Sequence, residues 1–256
     1  MTRPDPTDRF SNRVDDYARY RPDYPEELFH ALATRCGLRA GSTVADVGAG
    51  TGIFSRRLLE RGYRVIAVEP NDAMRAVAAR DLGEHEVFEA LPGRAEDTGL
   101  PDAHVDVVTA AQAFHWFDPA TTRIELARIL RHPAWVAIIW QRRQTTTSPF
   151  LRAYERFLRE YGTDYAKVDH RRIDRPTLEQ FFGHERVTLD RFSYRQQLDR
   201  DGFFGRVRSS SYTPAPDSDV YPAFSHALER LFERHQTNGE VDILYETQLW
   251  CGTLDD

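Results

Sequence analysis

Val44-Ala-Asp-Val-Gly-Ala-Gly-Thr-Gly-Ile-Phe-Ser55, followed by Val65-Ile-Ala-Val68 and closed by Glu69, decides the fold. Val44 and Val47 mark a buried strand, the glycines at 48, 50 and 52 a tight turn, and Ile53 to Leu59 the opening of an amphipathic helix. Glycine lets the backbone approach a ligand where a Cβ would clash, and a helix start turns its free N–H groups toward it. An anionic or polar cofactor end fits such a turn. Glu69, ending the second apolar run, is placed to accept charge-assisted hydrogen bonds from ribose hydroxyls. A bare strand-to-helix turn would lack this acid, and the agreement of strand, turn, helix and acid favours a site.

Strand, turn and helix form half of a Rossmann unit. The dinucleotide fingerprint Gly-x-Gly-x-x-Gly needs a third glycine where Ile53 stands, which counts against a nicotinamide oxidoreductase. What stands instead is Asp46-x-Gly48-Ala49-Gly50-x-Gly52, which resembles the first motif of the class I S-adenosylmethionine-dependent methyltransferases. The resemblance continues through Gly93-Arg-Ala95-Glu96, Leu100-Pro101, Asp106-Val-Val108 and Ala111-Gln-Ala-Phe-His-Trp-Phe117. Tyr17-Ala-Arg-Tyr20-Arg21-Pro22-x-Tyr24-Pro25 is similar to the entry segment of the small-molecule, type 11 or trans-aconitate methyltransferase-like branch. The likeness covers the first 140 residues well; beyond them only Tyr245-Glu-Thr and the closing strand carry it.

The resemblance implies S-adenosylmethionine as cofactor and S-adenosylhomocysteine as product. It puts Pro70 and Met74 on the adenine face, Ala95 and Glu96 at the adenine border, and Ala111 and Gln112 beside the methionine end. Glu69, Ala95 and Gln112 are expected to converge at the carboxyl ends of the strands, where open α/β sheets bind ligands. His115 follows the fourth strand and titrates near neutral pH, so it is either a general base or, between Phe114 and Trp116, a wall of the pocket. Tyr17, Tyr20 and Arg21 form an N-terminal lid, and Arg21 could alternatively pair with a substrate carboxylate.

Composition bounds the rest. The 256 residues are 41% hydrophobic and 12% aromatic, enough for one α/β domain carrying an insertion. A formal net charge of -6 argues against a nucleic-acid surface; Arg142-Arg143 and Arg171-Arg172 are too short to form a basic face. The N-terminal residues contain no apolar leader core and no stretch has membrane-spanning length, so the expected setting is the cytoplasm. Cys36 and Cys251 show no metal-type spacing and read as core residues, with no metal site expected.

Alternating patterns predict strands at 43–47, 64–68, 86–91, 105–111 and 134–140. Helices are expected at 25–36, 52–61, from the Asn71 cap through Val77, and from Asp118-Pro119 to Leu130. Further helices at 149–161, 176–182, 203–210 and 221–234 lie around strands at 187–198 and 241–252. The expected architecture is a doubly wound, mostly parallel seven-stranded sheet with an antiparallel last strand. Its parts are an N-terminal lid and helix (1–36), a cofactor-binding core (37–141), a helical cap insertion (142–185) and a C-terminal part (186–256). The functional expectation is methyl transfer to a small molecule, most simply O-methylation of a carboxylate or hydroxyl. A cofactor-binding regulatory protein without catalysis and a nicotinamide enzyme are the alternatives; oligomeric state is left open.

Overall fold

β1 (Thr43–Val47) occupies the middle of the sheet, buried on both faces, with β2 (Arg64–Val68) and β4 (Val105–Ala111) as parallel neighbours. A computed structural model describes residues 18–163, 165, 175–183 and 187–254. β3 (Phe88–Leu91) pairs parallel with β2, and β5 (Leu130–Arg143) with β4. β7 (Glu240–Thr253) runs antiparallel to both β5 and the edge strand β6 (Val187–Asp199). The order is therefore β3-β2-β1-β4-β5-β7-β6. The chain reverses its winding direction between β1 and β4, which opens a crevice at their carboxyl ends.

Side-chain alternation divides the strands between two cores. Val44, Val65 and Val107 face α1 (Glu26–Cys36) and α2 (Ile53–Leu59) through Leu28, Leu32, Phe54 and Leu58. Ala45, Val47 and Val68 face α4 (Pro119–Ile129) through Leu126 and Ile129. Each such apolar side chain contributes roughly 1.5–3 kcal/mol by leaving water. The start signals act as read: Asn71 accepts from Met74 N–H at 2.9 Å to cap α3 (Asp72–Leu82), and Asp118 accepts from Thr121 N–H at 3.0 Å. Gly37 ends α1 in the left-handed region, its N–H returned to Ala33.

Several boundaries differ from expectation. β3 starts two residues later, and the helix expected to reach Leu130 stops at Ile129, where β5 begins. β5 continues past Trp140 because β7 pairs with it as far as Arg143↔Tyr245. The helix expected at 203–210 becomes α7 (Arg200–Arg208), since the Asp199 carboxylate accepts from Gly202 N–H at 2.7 Å and fixes an earlier start. α6 (Arg175–Phe182), expected in the cap, packs Leu178, Phe181 and Phe182 into the α4 face of the sheet.

The cap proper is α5 (Pro149–Tyr161), α7 and α8 (Tyr221–His235), closed over the projecting ends of β6 and β7 by Phe150, Tyr154, Phe203, Phe224 and Phe232. Cys36 and Cys251 are buried, free and separated by only 3.1 Å between sulfurs, a meeting of α1 with β7 hidden by their distance in sequence.

Candidate cofactor and acceptor site

A cavity of about 680 Å³ opens at the β1–β4 crevice and extends beneath the cap. The glycine turn forms its floor. Gly48 has φ +71°, and a Cβ there would stand 2.5 Å from Ala113 Cβ, so only glycine fits. Gly48 and Ala49 both donate their N–H to Val68 O, at 2.8 and 3.2 Å, locking the turn to β2. Gly50, at φ +59°, lines the cavity, and its nearest such neighbour is Met74 Sδ at 3.8 Å, leaving open space for a ligand. Gly52 does not line the cavity: a Cβ there would meet Leu82 Cδ1 at 2.8 Å. Expected to touch cofactor, Gly52 instead lets α2 and α3 approach closely.

Two carboxylates flank the turn. Glu69 accepts from Gly50 N–H and Asn71 N–H, both at 2.8 Å, using one site on each oxygen. Burial pushes its pKa up, with the two N–H donors and Arg75 pulling the other way. Asp46, 1% exposed, accepts from Ser55 Oγ at 2.6 Å and Thr109 Oγ1 at 3.0 Å, bracing β1 against α2 and β4. Burial lifts its pKa to about 6 despite these hydroxyls.

Pro70, Met74, Ala95, Glu96, Ala111, Gln112, His115, Trp116 and Arg21 all line the same cavity as Asp46, Gly48, Ala49, Gly50 and Glu69. Glu96 also accepts from Asp118 N–H at 2.7 Å, holding its loop to α4. Gln112 has φ +59°, strained for a residue with a side chain, and sends Nε2 to Gln141 O at 3.0 Å. His115 lies tilted against Trp116, with centroids 4.3 Å apart and 42° between the ring planes, and meets Trp140 edge-on at 5.1 Å. Two tryptophans pack against it, while Phe114 turns away into the core.

Of the residues expected to form a lid, Arg21 lines the cavity and Tyr20 does not. The Tyr20 ring lies on Gly205 of α7, where a Cβ would stand 2.3 Å from it, and its carbonyl accepts from Gln196 Nε2 at 3.0 Å. Arg21 donates to Ser209 O at 3.0 Å. Tyr17 lies outside the described residues.

Sequence reading missed the far wall, which includes Trp140, Arg143, Arg206, Tyr212 and Tyr245. Arg206 is 5% exposed. Its Nε donates to Tyr245 Oη at 3.3 Å and its Nη1 to Ser210 Oγ at 3.1 Å. Arg143 donates through Nη2 to Glu155 at 2.6 Å and Tyr165 Oη at 2.8 Å. Tyr245 was visible as a motif residue, but an arginine within Gly205-Arg-Val-Arg208 gives no local sign of burial. Among the described residues no cluster of three His, Cys, Asp or Glu side chains could hold a metal ion.

A glycine turn braced by a buried acid at the switch point of a doubly wound sheet defines a binder of nucleotide-type cofactors. Residues 45–138 match the family described as a methyltransferase domain. The chain is 32% identical over 226 residues to an uncharacterized methyltransferase of Mycobacterium bovis, spanning 88% of this chain and 86% of that protein. Among solved structures, a candidate type II methyltransferase of Anaeromyxobacter dehalogenans matches with TM-score 0.66 and 25% identity, over 92% of this chain and 98% of the other. Phosphoethanolamine N-methyltransferase 2 of Haemonchus contortus, solved with S-adenosylmethionine, shares the fold at TM-score 0.55 and 13% identity, over 95% and 57% of the two chains. The protein belongs to the class I S-adenosylmethionine-dependent methyltransferases, and the family implies S-adenosylmethionine as the methyl donor.

Proposed function

We propose that this enzyme methylates an oxygen, carboxylate or hydroxyl, of a small-molecule acceptor. The observation that carries the reading is one continuous cavity, of a size suited to small ligands, with a glycine and acid floor at one end and an aromatic wall under the cap at the other. The residues present fit the donor. Glu69 keeps acceptor capacity on both oxygens for ribose hydroxyls, Gly50 leaves room at the turn, and Pro70 and Met74 offer an apolar face beside Ala95 and Glu96 for the adenine. Ala111 and Gln112 would border the methionine end. Asp46 serves this half chiefly by holding β1, α2 and β4 in place.

When bound, S-adenosylmethionine supplies a methyl group on an activated sulfonium leaving group. The protein then has to orient the acceptor and exclude water. Positioning can supply roughly 7–11 kcal/mol in favourable cases, so a base is needed only where the acceptor must lose a proton. His115, held between Trp116 and Trp140, serves this reading as a wall of the reaction space, and Arg21 as a link between the N-terminal segment and the cap. Residues 37–141 would hold the cofactor while the cap and the ends of β6 and β7 enclose the acceptor.

The net charge of -6 favours a small metabolite over nucleic acid as partner. A cytoplasmic setting is part of the proposal, in keeping with two unbridged cysteines. No helix among the described residues is long and apolar enough to cross a membrane.

The test is calorimetric titration with S-adenosylmethionine, S-adenosylhomocysteine and NADH, followed by release of S-adenosylhomocysteine in the presence of small carboxylic acids, phenols and alcohols. Micromolar binding of the first two ligands and turnover on one acceptor class support the reading. Binding without turnover on any acceptor would favour a regulatory role, and NADH binding alone would overturn the cofactor.

A further inference from the structure

The cap end of the cavity holds more buried positive charge than acid. Arg206 and Arg143 project there from α7 and from the end of β5, and Tyr245 links them: it is the register partner of Arg143 and the acceptor for Arg206 Nε. Arg206 is bonded only to neutral hydroxyls, and no carboxylate among the described residues pairs with it. Arg143 shares Glu155 with the exposed Arg159, while its own Nη1 is buried with no hydrogen-bond partner among the described residues. The other acids on the cavity wall do not compensate. Asp46, Glu69 and Glu96 belong to the cofactor end, and Glu246 is engaged by Gln248 Nε2 at 2.7 Å and faces Arg191 at 3.8 Å.

Two guanidinium groups with one acid leave the chamber a net positive charge. An unpaired buried charge costs several kcal/mol, and such an excess in a cleft marks a place where a ligand supplies the counter-charge. The walls around it are Tyr165, Tyr212 and Tyr245, which offer flat apolar rings with hydroxyls at their tips. Gln141 O touches the Gln112 side chain, and Arg143 lies two residues further along β5, about 7 Å deeper.

We propose that this chamber is an anion subsite: one carboxylate of the methyl acceptor docks on Arg206 and the unpartnered edge of Arg143. An apolar or aromatic body then extends along Tyr212 and Tyr245 toward the cofactor half. The assignment rests on the small-molecule reading above and deepens it, naming as the acceptor class a hydroxylated organic acid whose single carboxylate stays on the arginines while its hydroxyl, at the cofactor end of the body, is the oxygen methylated.

The experiment is calorimetry on the full-length protein saturated with S-adenosylhomocysteine. The probes are 3-phenylpropionate, 4-hydroxyphenylacetate and hexanoate, each beside its primary amide, with inorganic phosphate as a non-organic anion. At least one acid is expected to bind about tenfold or more tightly than its amide and than phosphate, as loss of a charge-assisted pair predicts. Arg206→Gln should abolish that preference and Arg206→Lys should restore part of it, with affinity for S-adenosylhomocysteine unchanged. Equal binding of every acid and its amide, no binding of any acid, phosphate binding as tightly as the acids, or an unchanged acid preference in Arg206→Gln would each overturn the subsite. The acid and amide comparison uses the unaltered protein, so it decides the matter even if Arg206→Gln does not fold. If S-adenosylhomocysteine fails to bind, the cofactor reading falls, and the same titrations without it still decide the subsite.

Discussion

Glu69→Ala should weaken binding of S-adenosylhomocysteine by one to two decades. The carboxylate of Glu69 is 7% exposed and already accepts two backbone N–H groups, one per oxygen. An ionised carboxylate offers about four acceptor sites, so two are left for a ligand's hydroxyls. Hydrogen bonds to a charged group contribute roughly 1.5–3 kcal/mol each. The ribose must shed water to make them, and burial already disfavours the charged acid, which places the net effect at the lower end, about 1.4–2.8 kcal/mol. Glu69→Gln keeps one acceptor oxygen but sets an amide N–H₂ against a backbone N–H donor, so it should also lose about tenfold. Calorimetry at pH 7.5 measures both. Because only the ionised acid has full acceptor capacity and charge-assisted bonds, and burial raises its pKa, wild-type affinity should decline as pH falls through that raised value and recover above it; the glutamine variant should lack this acid limb. Melting curves guard against global unfolding, since the freed Gly50 and Asn71 N–H groups can bond cavity water at a cost of about 1–2 kcal/mol. A folded Glu69→Ala protein with affinity within threefold of wild type would place the ribose elsewhere and refute the reasoning.

Neighbouring positions separate fold from binding. Gly48→Ala forces a Cβ onto Ala113 at positive φ and should destabilise the fold by about 2–4 kcal/mol in chemical denaturation. Gly50→Ala meets nothing closer than 3.8 Å and should cost the fold only about 1–2 kcal/mol while losing cofactor affinity by calorimetry; the reverse ranking would misplace the cavity floor. Asp46 is neutral in the fold up to about pH 6 but ionises near pH 4 when unfolded, so its burial lowers wild-type stability as pH rises between these values, by about 3 kcal/mol in all. Asp46→Asn should therefore gain on wild type by that amount from pH 4 to pH 7 in denaturant titrations, and a pH-independent difference would show that Asp46 is not held as described. His115→Ala opens the wall between Trp116 and Trp140, so kcat is expected to fall with the acid limb of its pH profile preserved; disappearance of the acid limb in the variant would make His115 a base.

The glycine-turn end of the cavity was legible because its determinants are local. Each glycine of the turn, the strand before it and Glu69 lie within residues 43 to 69, and each agrees with its neighbours in period and in turn chemistry. Even there sequence could not divide the labour: Gly48 lines the cavity but is closed off by Ala113, Gly52 serves Leu82, and Gly50 is the one of the three that lines the cavity with open space beside it. The extension of β5 was hidden because Arg142 and Arg143 become strand only through Glu246 and Tyr245, a hundred residues on. The stripe of Leu178, Phe181 and Phe182 announced a helix with an apolar face but not which layer that face would cover. Arg206 was least legible, since a charged residue flanked by Gly205 and Val207 reads as solvated until Tyr245, Tyr212 and the cap core close around it. The two halves of the cavity differ in this respect for a physical reason. A glycine turn must follow its strand directly and its acid must end the next one, whereas an acceptor wall can be assembled from any elements the cap brings together, and its specificity resides in contacts that no window of sequence contains.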